Sequence, residues 1–258
     1  MVAPTLCAQE VVALWLASAA RKSGRRPASS YLSVPTELIL VRHGESNFNY
    51  ERRWQGQSQV AMLSDLGWRQ AECAAEVLAD SGAAALFSSD LTRAMQTAVA
   101  ISWKTGLPIH PDARLREIDA GVWTNRLSDE VLAEDSAAVR AWNEAPASLE
   151  RIPGGEGLAQ AQQRILAFVA DRIPAYDGQS VIVAIHGAIL QTLMAAADDL
   201  PLERLWLATP AANGAIVRIE WSAERLRLLG PPSIAHLERL GTAGVTLGSA
   251  GGPGPVAA

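Results

Sequence analysis

The sequence predicts an α/β domain built as a three-layer sandwich, a mostly parallel sheet with helices on both faces. Three observations predict it. Short apolar runs alternate with longer amphipathic stretches. The runs are apolar throughout, as in "LILV" (38–41) and "SVIVAIHG" (180–187), and polar or glycine-bearing clusters follow them with no spacer. Strands buried on both faces read this way, and parallel strands need helical crossovers between them.

The elements follow in order. "ELILV" (37–41) is a strand, and "LSDLGWRQAECAAEVLADSG" (63–82) is a helix with Ser64 as N-cap and Gly82 as its stop. "AALFSS" (84–89) reads as a strand and "DLTRAMQTAVAISWKTG" (90–106) as a helix opened by Asp90. After "LPIH" (107–110), a strand candidate, comes a loop, "DARLREIDAGVW", then helical stretches near 127–143 and 156–173. The strand at 180–187 feeds the helix "AILQTLMAAA", and "GAIVRIEW" and "RLRLLG" are two final strands. The working domain spans residues 36–230. Residues 1–35 form an extension, partly disordered or helical, and residues 231–258 a Gly/Ala/Pro-rich tail that cannot bury enough surface to offset chain entropy.

Composition narrows the classes. Apolar residues make up 49% and charged residues 19%, an ordinary soluble balance, and the net charge of −5 argues against a nucleic-acid footprint. No apolar run approaches a membrane span. The stretch "VVALWLASAA" (11–20) has the length of a signal-peptide core. However, Glu10 precedes it and Arg21, Lys22, Arg25 and Arg26 follow it, the wrong order for a secretory signal. Cys7 and Cys73, with no CxxC and no Cys/His cluster, suggest neither a disulfide framework nor a metal site, so a reducing, cytoplasmic setting is expected.

Ligands of such sheets bind at the carboxyl ends of the strands. His43 follows the first strand, Ser88, Ser89 and Asp90 with Arg93 follow another, His186 and Gly187 follow "VIVAI", and Glu117 lies in the loop after "PIH". With parallel strands, two histidines, Arg42, Arg93 and a glutamate reach one edge. The arginine fork matches phosphate oxygens. Gly44 and Gly187 remove side chains where strands turn into helices, so backbone N–H groups could approach an oxyanion. A neutral imidazole beside such a clamp can act as a nucleophile, and Glu117 could protonate a departing alkoxide if its pKa were raised. Asp119 in "REID" is a rival acid. His110 reads as an ordinary strand-end residue and His236 as part of the tail. Trp54 and Trp123 either pack in the core or wall the pocket, and Arg52 and Arg53 are a solvated pair that could also steer anions.

These residues resemble the signature of the histidine phosphatase superfamily, also called phosphoglycerate mutase-like. The match runs through Arg42-His43-Gly44-Glu45-Ser46, Asn49, Arg53-Trp54-Gln55-Gly56, "LSDLGWRQA", "SSDLTRAMQTA", "LREIDAGVW", "PGGEG" and "AIHGAILQ", over about residues 37–220. The resemblance implies the phosphoglycerate mutase-like fold and His43 as a nucleophile that becomes phosphohistidine. It implies Arg42, Arg93 and His186 as the phosphate pocket and Glu117 as general acid. Asn49, Gln55 and Gly56 would lie beside the phosphate or substrate. It implies no cofactor and no metal, and a small-molecule phosphate monoester as partner; a homo-oligomer is compatible.

The family holds both phosphatases and mutases. Mutases carry a long insertion between the acid and the second histidine, whereas only 68 residues lie between Glu117 and His186 here. Lys22 and Lys104 are the only lysines, too few for the cationic closure that retains a phosphoryl group against water. The sequence therefore favours a compact, broad-specificity phosphatase over a cofactor-dependent phosphoglycerate mutase or a non-catalytic phospho-ligand binding module. Two departures from the family pattern, Thr124-Asn125 after Trp123 and Gly157 in "PGGEG", bear on substrate preference.

Overall fold

The first strand, β1 (Thr36–Arg42), lies at the centre of the molecule because both of its faces are apolar. Leu38 and Leu40 face one core and Ile39 and Val41 the other, the alternation that a strand covered on both sides requires. The computed structural model describes residues 34–207 and 209–241. Around β1 it assembles β2 (Ala85–Ser88), β3 (Ile109–Pro111), β4 (Ser180–Ile185), β5 (Ile216–Ser222) and β6 (Arg225–Leu228) into a six-stranded sheet of order β3-β2-β4-β1-β5-β6. The pairs β1–β4, β2–β4 and β2–β3 are parallel, whereas β1–β5 and β5–β6 are antiparallel. The expected mostly parallel three-layer architecture is the observed one, with an antiparallel edge.

The register decides where the chemistry collects. Arg42 pairs with Ile185 and Ser88 with Ala184, so β1, β2 and β4 end level with one another. The residues just after them, His43, Ser89 and His186, share one rim.

Helices α1 (Asn47–Tyr50), α2 (Asp65–Leu78), α3 (Thr92–Thr105), α4 (Ser128–Glu134), α5 (Ser136–Glu144), α6 (Leu158–Arg172) and α7 (Gly187–Ala197) complete the layers. One core joins Leu86, Ile182 and Ala184 to α2 and α3, whose inward faces are mostly alanine and so allow close approach. The other joins Phe87, Val183 and Val217 to α6 and α7, and every residue of α7 is buried. No described helix is long and apolar enough to cross a membrane.

Several boundaries differ from those read in the sequence, each for a local reason. Ser64 does cap α2, accepting from Gly67 N at 3.0 Å, but the helix ends at Leu78 and Gly82 lies beyond it at φ 65°. Asp90 does not cap α3, which starts at Thr92 after Leu91; its carboxylate instead holds Arg116 through two hydrogen bonds. The single helix expected near 127–143 is two, broken at Asp135, whose side chain accepts from Ala138 N and caps the second. The tail also starts later than residue 231. Ser233 bridges Ile216, a 3-10 helix spans Ala235–Leu240 with Leu237 buried, and His236 bonds Gly214 O at 2.9 Å, so residues 231–241 pack on the domain. Residues 242–258 and 1–33, with Cys7 and the 11–20 stretch, lie outside the described residues.

Candidate active site

Parallel pairing of β1 with β4 brings His43 and His186 together, ring centroids 5.2 Å apart. His43 Nδ1 lies 2.7 Å from Gly44 O. A carbonyl can only accept, so Nδ1 carries the proton and Nε2 keeps its lone pair. Arg93, from the first turn of α3, donates from Nε to that Nε2 at 3.3 Å. Burial pushes the His43 pKa well below its ordinary value, and the charges of Arg93 and Arg42 push the same way. His186 is fully buried, and neither of its ring nitrogens has a hydrogen-bond partner among the described residues. Burial, then Arg93, holds its pKa low as well. Both rings are neutral at neutral pH.

The two arginines are also buried. Desolvation lowers each to about 10, and the Glu117 carboxylate opposes that shift in both. They stay charged near neutrality. Arg93 is fixed by the carbonyls of Gly56 (2.9 Å) and Ser58 (3.2 Å), and Arg42 by Ala211 O at 2.6 Å. Glu117 reaches the same rim. Its Oε1 accepts from Ile118 N (2.9 Å) and Ile189 N (3.3 Å), and its Oε2 from Ala188 N (3.2 Å), which seats it on the N-terminus of α7. The two guanidinium charges make the cavity cationic and suited to a phosphate anion.

The rival acid is elsewhere. Asp119 Oδ1 accepts from Gly121 N, and its main chain pairs with Glu156. Asn49, Gln55 and Gly56 form a framework next to His43, held through Ser46, Asn213 and Arg93. Asn49 and Ser46 form the reciprocal cap of α1, Gln55 Oε1 lies 2.9 Å from Ser46 Oγ, and Gly56 presents its carbonyl to Arg93. Gly56 has φ 44°, and a Cβ there would meet Ala120 at 2.8 Å, so only glycine fits. Gly187 opens α7 directly after His186. The N–H of Gly44 is not open to an anion as expected, because it donates to Thr97 Oγ1 at 3.2 Å. Its missing side chain serves packing instead: a Cβ would lie 2.2 Å from Gly67 O of α2. Trp54 and Trp123 are core residues, their ring centroids 4.7 Å apart in a tilted contact, and almost fully buried. His110 is the exposed middle residue of β3, Arg53 pairs with Glu51, and Arg52 faces Asp129 at the surface.

Three contributors escape a reading of the sequence. Asn213 Nδ2 donates to His43 O (3.2 Å) and to Asn49 Oδ1 (3.3 Å), tying the His43 main chain to α1. The Asn213-Gly214 turn before β5 was the only local signal for it. Ser58 offers only a main-chain carbonyl, which no side-chain pattern reveals. Arg164, on α6, reads as a solvated helix position yet reaches the Glu117 loop.

A family model, the histidine phosphatase superfamily (branch 1), matches residues 38–231. The chain belongs to that family. Among the family's curated proteins, the glucosyl-3-phosphoglycerate phosphatase of Mycolicibacterium vanbaalenii is 36% identical over 173 residues, covering 64% of this chain and 76% of that protein. The probable phosphoglycerate mutase GpmB of Salmonella paratyphi C is 35% identical over 165 residues, again 64% of this chain and 76% of the relative. Among solved structures of the family, Bacillus stearothermophilus YhfR superposes with a TM-score of 0.74 at 33% identity, covering 78% of this chain and 98% of that one.

Proposed function

We propose that the chain hydrolyses phosphate monoesters of small metabolites through a phosphohistidine on His43. Membership of the histidine phosphatase superfamily and the phosphatase relative support the hydrolase class. The observation that carries the mechanism is the 2.7 Å contact of His43 Nδ1 with Gly44 O, which fixes the tautomer and leaves Nε2 as the nucleophile.

In the first step Nε2 attacks phosphorus and the bond to the leaving oxygen breaks. Glu117 gives that oxygen its proton. Arg42, Arg93 and His186 stabilise the charge on the three remaining phosphoryl oxygens. The positive charge that develops on the ring is met by the same Gly44 carbonyl. In the second step water attacks phosphorus, Glu117 takes a proton from it, and the N–P bond breaks to release phosphate and free imidazole. A free, buried Cys73 is in keeping with a cytoplasmic setting.

His43→Ala abolishes turnover of p-nitrophenyl phosphate while leaving the circular dichroism unchanged, and wild type quenched in alkali, where the N–P bond survives, carries label from a radioactive phosphate ester on His43. Full activity in that variant, or wild type that never labels, overturns the mechanism. The mutase-named relative favours a second reading, phosphoryl transfer within phosphoglycerate. Incubation with 3-phosphoglycerate distinguishes the two, since hydrolysis yields free phosphate and a mutase the 2-isomer.

A further inference from the structure

Glu117 has no regular element to hold it. Between β3 and α4 the chain forms only two 3-10 turns, Ala113–Leu115 and Gly121–Trp123, and Glu117 lies between them. No strand or helix ladder fixes this stretch, and its carbonyls need partners from elsewhere.

Arg164 supplies them. It projects from the second turn of α6, and all five of its N–H donors are engaged. Nη1 donates to Arg114 O and Arg116 O, both at 2.8 Å. Nη2 donates to Glu117 O at 3.4 Å and to Glu156 Oε2 at 2.7 Å, and Nε donates to Glu156 Oε1 at 3.0 Å. Glu156 in turn binds the far side of the loop, its Oε2 accepting from Asp119 N and its main-chain N–H donating to Asp119 O. One guanidinium and one carboxylate therefore grip the main chain on both sides of Glu117. A lysine has three donors on a point charge and cannot occupy these positions together.

We infer that Arg164, aligned by Glu156, is the positioning residue that aims the Glu117 carboxyl at the leaving oxygen. This rests on the reading of Glu117 as general acid. Arg164 hydrogen-bonds neither His43 nor the Glu117 carboxylate; its charge reaches His186, but its hold on Glu117 runs through the main chain. Loss of aim matters only where the leaving oxygen needs a proton. A poor leaving group such as phenolate depends on the acid, whereas 2,4-dinitrophenolate departs without it. General acids contribute about 10²–10⁴-fold, and misplacement by about 1 Å costs on the order of 10²-fold.

The test compares kcat/KM, which reports the step that breaks the P–O bond, for phenyl phosphate and 2,4-dinitrophenyl phosphate. Arg164→Gln should lower the phenyl phosphate value at least about tenfold more than the dinitrophenyl value. An equal fall with both substrates, the pattern of general structural damage, overturns the proposal. If Arg164→Gln fails to fold by circular dichroism, Arg164→Lys and Glu156→Gln take its place under the same criterion, and wild-type ratios in both overturn it. Glu117→Gln separates the two levels of the argument. If it shows the leaving-group bias and the Arg164 variants do not, the positioning role alone fails; if it shows none, the general-acid reading fails.

Discussion

The two sides of the site are built by different means. The proposed nucleophile side, Arg42, His43 and His186, sits directly on strand ends, so the sheet's own ladder positions it: His43 N donates to Ile185 O, and Arg42 N to Ala215 O. The proposed acid side, residues 112–123, is irregular chain held by side chains, with Arg164 on its carbonyls and Arg116 on Asp90. The first is rigid because it is core, the second because it is tied. Substitutions on the nucleophile side should therefore cost stability, and those on the acid side should cost aim.

The largest effect tests the first half of that contrast. A Cβ on Gly44 would lie 2.2 Å from Gly67 O, main chain against main chain, with no flexible group to yield. Gly44→Ala should cost about 3 kcal/mol or more, since overpacking of a tight contact typically costs 1–3 kcal/mol and here the backbone itself must move. Urea denaturation measures it. Gly154→Ala, packed against Val122 of the acid side, serves as contrast, because its Cβ would come no nearer than 3.4 Å to Val122 Cγ1 and 3.8 Å to Val122 N, leaving its φ of 70° as the main strain. Equal losses at the two positions would erase the distinction.

Acid titration separates the sides next. His43 and His186 are neutral in the fold and their pKa values are pushed well below 6.5, burial being the largest cause. As pH falls below about 6.5 the unfolded chain binds protons that the folded chain refuses, so the stability they contribute is full above that pH and erodes beneath it. The slope is about 1.4 kcal/mol per pH unit for each histidine. The acid side responds later. Asp112 is lowered from 3.8, its burial outweighed by Arg114, so its contribution survives until pH drops below that value. Urea midpoints between pH 7.5 and 5 should decline in the wild type and decline much less in His43→Gln/His186→Gln, where His236, also held low chiefly by burial, still contributes; a flat wild-type profile would mean that the rings are not buried neutral.

The same contrast explains what the sequence disclosed. Strand-borne groups were legible, because an apolar run followed at once by Arg42-His43-Gly44 or by His186-Gly187 marks a carboxyl edge whatever the partner strands are. Glu117 was legible mainly through the family motif, since nothing local distinguished it from Asp119; only the α7 N-terminus did so, and that contact spans 71 positions. Asp90 looked like a helix cap because caps are local and ion pairs are not. The break at Asp135 was hidden by continuous helical periodicity on both sides. Residues 231–241 looked like tail because their anchor is a few contacts, Leu237 and the Ser233 bridge, within a polar and proline-bearing stretch.

The smallest effect probes the second tie of the acid loop. Asp90 grips Arg116 with hydrogen bonds of 2.7 and 2.5 Å, yet both side chains are about a third exposed, so water offsets most of the pair's Coulomb energy. The Asp90 pKa is lowered from 3.8, chiefly by the hydrogen bond to Arg116, so its contribution is present above that value and disappears as pH falls through the folded pKa. Asp90→Asn should then cost less than about 1 kcal/mol at pH 7 and leave a shallower loss of stability between pH 4 and 3. Arg116 stays solvated when its partner is removed, which is why the cost remains small. The main-chain grip of Arg164 is untouched, so the ratio of phenyl to dinitrophenyl phosphate turnover should hold near wild type. A collapse of that ratio in Asp90→Asn would place the aim of Glu117 on the surface pair, and the division between a core-built and a tied half would have to be redrawn at β2.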